Sequence, residues 1–193
     1  MVQGGRRFSQ AISEGDGISL VVVVQAPEEA RRAEGDGAEA LLVYSGLEGQ
    51  LVAIRAATTL PILFHWDGEH AESLDGADAC IVEAGSRESL ERVHVELGDR
   101  FELALRIREA DHIESALEDF DPELFVLAAP DEDDALEHVL DLLPDVPAGK
   151  LAIAELPISR RDEVAALERA GVDAVIVGGA NVSELVGDAP PLL

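Results

Sequence analysis

The sequence predicts a compact single-domain (β/α)8 TIM barrel with a short N-terminal helix, and three observations carry that reading. Eight short apolar runs recur along the 193 residues, each usually introduced by a Gly- or Asp-containing turn and followed by a helix-like stretch. The runs are near-continuously apolar, as parallel strands covered on both faces must be. Three of them also read as one sentence: Gly37-Ala38-Glu39-Ala40-Leu41-Leu42-Val43, Gly76-Ala77-Asp78-Ala79-Cys80-Ile81-Val82 and Gly171-Val172-Asp173-Ala174-Val175-Ile176-Val177.

In chain order, residues 6–13 are amphipathic enough to form a short helix that plugs the N-terminal end of the barrel. The eight strand candidates are 18–25, 38–44, 60–66, 77–83, 101–108, 123–129, 150–155 and 172–178. Between them, Ile113, Ala116, Leu117 and Phe120 fall at i, i+3, i+4 and i+7, and Leu136, Val139, Leu140 and Leu143 repeat that spacing. Each set makes one apolar stripe to lay against a sheet, with an acidic opposite face. Pro144 and Pro147 close the sixth helix, which they cannot continue. Ser159 followed by Asp162 is a capping-box-like start for the seventh, and Gly171 suits its exit. Eight units in so short a chain require short loops, so residues 1–193 are expected to form one domain, with 1–17 as leading helix and turn.

Forty acidic residues against 14 basic ones give a formal net charge of −26, and Lys150 is the sole lysine. Such a surface repels phosphate backbones and anionic lipid, so nucleic acid and membranes are excluded as partners. The Arg-for-Lys bias fits either a GC-rich genome or a surface adapted to concentrated salt. Cys80, the single cysteine, lies in an apolar strand and has no internal partner for a disulfide, which agrees with a reducing cytoplasm. Arg6-Arg7-Phe8 is faintly like a twin-arginine export signal, but the next apolar run is short and preceded by Glu14, Gly15, Asp16 and Gly17. A helix start is the better reading, and the expected location is the cytoplasm.

Four stretches resemble indole-3-glycerol phosphate synthase, the ribulose-phosphate-binding barrel of tryptophan biosynthesis. Residues 6–12 resemble that family's leading helix. Leu60-Pro61-Ile62-Leu63-Phe64-His65-Trp66-Asp67 resembles its Leu-Pro-Val-Leu-Arg-Lys-Asp-Phe strand. Residues 103–117 resemble its Leu-Val-Glu-Val-His strand and following helix, and the stretch from Ala154-Glu155-Leu156-Pro157-Ile158 to Val177-Gly178-Gly179 resembles its Glu-Ser-Gly-Ile to Val-Gly-Glu segment. The resemblance covers nearly the whole chain in framework. It implies a lyase that closes a pyrrole ring on an anthranilate-linked deoxyribulose phosphate with loss of carbon dioxide and water. That chemistry needs a proton donor, carboxylates, a phosphate cradle and an apolar slot.

Position by position, most of the implied catalytic set is replaced. The general-acid lysine of the third strand corresponds to His65. The Glu-x-Lys pair of the first strand becomes Val23 and Gln25, and the Ser-Pro-Ser phosphate loop gives way to Ala26-Pro27. The fifth-strand glutamate becomes Arg106 and the sixth-strand asparagine Ala128. Glu155 is kept, but the Ser-Gly after it becomes Leu156-Pro157; Gly178 is kept and the next glutamate becomes Gly179.

The candidate catalytic residues are therefore His65 and Glu155. An imidazole can donate a proton near neutral pH, and barrels keep their chemistry at the C-terminal ends of strands. His65 could equally be a hydrogen-bonded lining residue, and Glu155 half of an ion pair with Arg106. Candidate substrate-binding residues are Arg106, Gly178, Gly179, Gln25 and Glu83. Arg106 is either that structural partner or an anion clamp. Gly178 and Gly179 put backbone N–H groups where loops of this fold bind phosphate, while Pro157 removes a donor. Tyr44 and Trp66 also end strands and could line a pocket, although Trp66 could face the helices. His65, Asp67 and Glu83 lack metalloenzyme spacing, so neither a metal nor a cofactor is expected.

Three function classes follow: a slow or redirected enzyme of the synthase family acting on a phosphorylated sugar-like substrate, a non-catalytic binder of a phosphorylated small molecule, and a partner subunit for other tryptophan-pathway proteins.

Overall fold

A computed structural model describes residues 6–15, 17–83, 87–119, 122–129, 134–179 and 182–185. Its strands are β1 (Ser19–Val23), β2 (Ala40–Tyr44), β3 (Ile62–His65), β4 (Ala79–Glu83), β5 (Glu102–Ile107), β6 (Leu124–Ala128), β7 (Leu151–Glu155) and β8 (Ala174–Gly178). One falls in each of the eight expected runs. All pair in parallel with their sequence neighbours, and β8 pairs with β1, so the sheet closes on itself. The helices are α1 (Arg7–Ser13), α2 (Pro27–Gly35), α3 (Glu48–Ala57), α4 (Arg87–Leu97), α5 (Ala110–Asp119), α6 (Ala135–Leu142), α7 (Arg161–Ala170) and α8 (Val182–Leu185). No helix among the described residues is long and apolar enough to cross a membrane.

Alternation along each strand sorts the core into two layers, because successive side chains point to opposite faces. Val21, Leu42, Leu63, Ile81, Ala104, Val126, Ile153 and Ile176 fill the barrel. Their neighbours Val22, Leu41, Phe64, Cys80, Leu105, Phe125, Ala154 and Val175 meet the helices, which contribute Ala30, Leu51, Ile54, Ile113, Val139 and Leu167. Both layers are apolar, which is why the runs show no alternation in the sequence. Of the two helical stripes, Ile113 and Val139 are buried, and Leu117, Leu136, Leu140 and Leu143 pack against this layer. Phe120 and the side chain of Ala116 lie outside the described residues.

The leading helix does plug the barrel. Phe8 and Ile12 of α1 are buried with the interior layer, and the Glu102 carboxylate at the start of β5 accepts from the Phe8 N–H at 2.7 Å and the Ser9 N–H at 3.1 Å. Seven residues make no stable helix alone. Burial of the two apolar side chains, roughly 1.5–3 kcal/mol each, together with that acidic cap, holds it in place.

The shared sentence of the second, fourth and eighth runs has a physical meaning that the sequence did not disclose. Gly37, Gly76 and Gly171 all take positive φ, at 95°, 110° and 97°. The acidic residue two positions later reaches back to the strand before it. Glu39 accepts from the Leu20 N–H at 3.2 Å, Asp78 from the Ile62 N–H at 2.8 Å and Asp173 from the Ala152 N–H at 2.7 Å. Asp78 also holds Arg55 at 2.9 Å and Arg7 at 3.3 Å, tying α3 and α1 to the same end of the barrel.

Two expectations need correction in detail. The connection from β3 to β4 is a short 3-10 turn, Ala71–Ser73, where a helix was expected. Gly68 and Gly76, both at positive φ, break the segment, and the Gly76 turn packs directly on α3. A Cβ on Gly76 would stand 3.0 Å from the Leu51 carbonyl oxygen. The start of α7 is also one residue later than the Ser159 and Asp162 spacing predicts: the Glu163 carboxylate accepts from the N–H groups of Ser159 at 3.0 Å and Arg160 at 2.9 Å. Gly171 closes this helix in the left-handed conformation, as expected.

Candidate functional site

The last inward-facing residue of each strand lies at the C-terminal mouth. Register places Tyr44 beside His65, Glu83 beside Arg106, Ala128 beside Glu155 and Val23 beside Gly178. Five of these side chains close a ring across the mouth. The Tyr44 hydroxyl donates to Glu155 Oε1 at 3.3 Å, and Arg106 Nε donates to Glu155 Oε2 at 2.5 Å. Arg106 Nη1 donates to Glu83 Oε1 at 2.7 Å, and His65 Nε2 lies 3.8 Å from that same oxygen. The circuit is completed by the imidazole of His65 tilted against the Tyr44 ring, with centroids 5.5 Å apart. Arg108, just beyond β5, approaches Glu83 at 3.6 Å.

The electrostatics follow from these contacts. The Glu83 carboxyl is held down at about 2 by the His65 imidazole and by Arg106 and Arg108, against the opposing pull of burial. At 3.8 Å the imidazole is at ion-pair range, so the guanidinium at 2.7 Å is the stronger hold. Burial would lower the Arg106 guanidinium, but Glu83 and Glu155 outweigh it and the group is raised. The Tyr44 phenol is pushed up to about 12 by burial and by the charge of Glu155. It is a neutral donor throughout the working pH range. His65 Nδ1 is buried with no hydrogen-bond partner among the described residues.

The ring thus brings together His65, Glu155, Arg106 and Glu83 of the expected site residues. It adds Tyr44 as a hydrogen-bonding member, where the sequence suggested only a wall. Arg106 sits with its fork on two carboxylates, the arrangement of a structural partner; an anion arriving there would have to displace one of them. The remaining expected residues, Gln25, Gly178 and Gly179, line an adjoining cleft of about 420 Å³ together with Val23, Val24, Glu29 and Arg32. Gln25 donates its backbone N–H to the Glu29 carboxylate at 2.7 Å. Glu29 and Arg32 escaped the sequence reading because they sit on α2, away from strand ends.

Trp66 is turned to the helix layer, 5% exposed, and its indole N–H donates to the Glu69 carbonyl oxygen at 2.6 Å. A second cleft, about 390 Å³, runs from His65 and Glu83 past Trp66 and Asp67 to α4. Ala180 and Asn181, which follow the glycine pair, lie outside the described residues. No group of three or more His, Cys, Asp or Glu side chains suited to a metal ion occurs among the described residues.

Comparison with known proteins follows the framework. The chain is 30% identical to the indole-3-glycerol phosphate synthase of Geobacillus sp. (strain WCH70) over 166 residues, which take in 77% of this chain and 64% of that protein. It therefore spans less than two thirds of that relative's length. Among solved structures it is similar to thiamine phosphate pyrophosphorylase from Pyrococcus furiosus, with a TM-score of 0.64, 16% identity and coverage of 87% of this chain and 90% of that one. It is also similar to a mutant tryptophan synthase alpha-subunit from the same hyperthermophile, with a TM-score of 0.66, 14% identity and coverage of 85% and 88%. At such identities these two likenesses establish the fold. No family model matches the chain.

Proposed function

Because this chain is a divergent relative of the indole-3-glycerol phosphate synthases, we propose that it binds a phosphorylated, sugar-like molecule at the C-terminal mouth and has slow or altered lyase chemistry. The observation that carries the reading is the mouth itself: a polar ring from five strands beside an open cleft at Gly178 and Gly179, in a barrel whose other inward positions are almost wholly apolar. Barrels of this fold place ligands at that face. The names of the relatives, two of which act on phosphate compounds, support the same substrate class.

Within this reading His65 donates or accepts the proton and Glu83 orients its ring. Glu155, with one oxygen on Tyr44 and the other on Arg106, supplies fixed negative charge above the barrel floor. The second reading, a non-catalytic binder, is favoured by Arg106. A glutamate there would be a base, whereas the arginine neutralises the two carboxylates beside it.

Purified protein should turn over 1-(2-carboxyphenylamino)-1-deoxyribulose 5-phosphate very slowly or not at all. Loss of a single positioned donor commonly costs about a hundredfold to a thousandfold in rate, and several are replaced here. Binding of the same compound, read by its effect on the melting temperature, should persist. Turnover that is fast and survives His65→Ala would overturn the assignment of the acid. Absence of any stabilisation at millimolar ligand would overturn the binding site.

A further inference from the structure

One carboxylate oxygen at the mouth is approached by two guanidiniums and an imidazole. Glu83 Oε1, at the end of β4, lies 2.7 Å from Arg106 Nη1, 3.6 Å from Arg108 Nη2 and 3.8 Å from His65 Nε2. In a chain with 14 basic and 40 acidic residues, such convergence on one atom runs against the charge of the whole. His65, Arg106 and Arg108 hold the Glu83 carboxyl down at about 2 against burial, so the nest they form favours an ionised carboxylate.

The two carboxylates on Arg106 are not equally fixed. The Glu155 side chain is 13% exposed and places one oxygen on Arg106 and the other on Tyr44. The Glu83 side chain is 49% exposed, so it returns to water at much lower cost. It also borders the cleft of about 390 Å³ that runs to α4, which gives a withdrawn side chain room. We infer that His65, Arg106 Nη1 and Arg108 form a carboxylate-binding nest in which Glu83 is the resident occupant, displaced when a ligand presents a carboxylate of its own. The inference deepens the reading of the mouth as a ligand site and does not depend on a phosphoryl group there. Exchange of one carboxylate for another keeps the charge balance, whereas a neutral group would leave Arg108 and Arg106 Nη1 without their counter-charge. The ligand binds only the fraction of molecules with Glu83 withdrawn, so this gate lowers apparent affinity and rejects uncharged analogues.

Acetate is the group that Glu83→Ala removes, and it is the probe. The full chain carrying Glu83→Ala is titrated with acetate at constant ionic strength set by chloride, and the melting temperature and the His65 imidazole resonances are followed. Acetate should raise the melting temperature saturably and shift the His65 resonances, and acetamide should do neither. Wild type should need about tenfold more acetate for the same shift, because its nest is already filled. Arg108→Gln added to Glu83→Ala should weaken acetate binding severalfold. Glu83→Gln, which keeps the shape of the side chain and loses its charge, serves if Glu83→Ala does not fold, and it too should bind acetate more tightly than wild type. Acetate no more effective than acetamide or chloride in these variants, or equally effective in wild type, overturns the inference. Either result leaves the phosphorylated-ligand reading standing, since that reading is tested with ribulose 5-phosphate, which carries no carboxylate.

Discussion

Arg106 is the residue on which the mouth turns, because removing it leaves Glu155 without a guanidinium and Glu83 with only Arg108, at 3.6 Å, as a counter-charge. Its side chain is 16% exposed and that of Glu155 13%, so the pair is largely out of water. Arg106→Ala should therefore destabilise the fold on the order of 3 kcal/mol, read from the urea midpoint, whereas Arg106→Met combined with Glu155→Leu should recover most of the loss. Glu83 makes a separate prediction. Its carboxyl is depressed to about 2 in the fold, so the stability it contributes is present above the ordinary carboxylate range and is lost as pH falls through about 2. Acid unfolding of wild type should steepen between about pH 4 and pH 2, and Glu83→Gln should flatten that stretch of the curve. An unchanged curve would place the acid response elsewhere. The members of the ring were legible as strand ends; their pairing was not, because cross-barrel contacts such as Tyr44 to Glu155 depend on register and shear rather than on local spacing.

The elements were legible where periodicity and punctuation agreed, and misread where length decided. Every strand was marked by an apolar run, since burial on both faces keeps its middle apolar and confines polar residues such as Asp78 and Arg106 to positions near its ends. The missing helix between β3 and β4 was hidden because Gly68 and Gly76 act through backbone conformation and close approach, neither of which shows in a hydrophobic pattern. Gly76→Ala should be the costlier of two glycine substitutions at positive φ. It suffers left-handed strain of about 1–2 kcal/mol and also overlaps the α3 backbone at Leu51. Gly149→Ala, at φ 91° in open space, should show the strain alone. Equal melting temperatures for the two variants would remove the close-packing explanation. The same approach applies to the reach-back carboxylates: Asp78→Ala frees the Ile62 N–H, Arg55 and Arg7 together, and should cost more than Glu39→Ala.

At the scale of the whole molecule, one closed sheet with a plugged end and no separable strand pair should unfold in a single transition. A net charge of −26 opposes compaction, and raising salt from about 0.1 M to about 1 M shortens the screening length from about 10 Å to about 3 Å. The melting temperature should therefore rise over that range, and a fall would show that the ion pairs of the two barrel ends outweigh the surface repulsion. The proposed function places a phosphorylated ligand at the C-terminal mouth. Amide chemical-shift mapping with ribulose 5-phosphate tests it most directly. Perturbations should appear at Gln25, Gly178 and Gly179, with α1 at the opposite end of the barrel unmoved. Perturbations confined to α1 and the N-terminal ends of the strands, or none at saturating ligand, would contradict it.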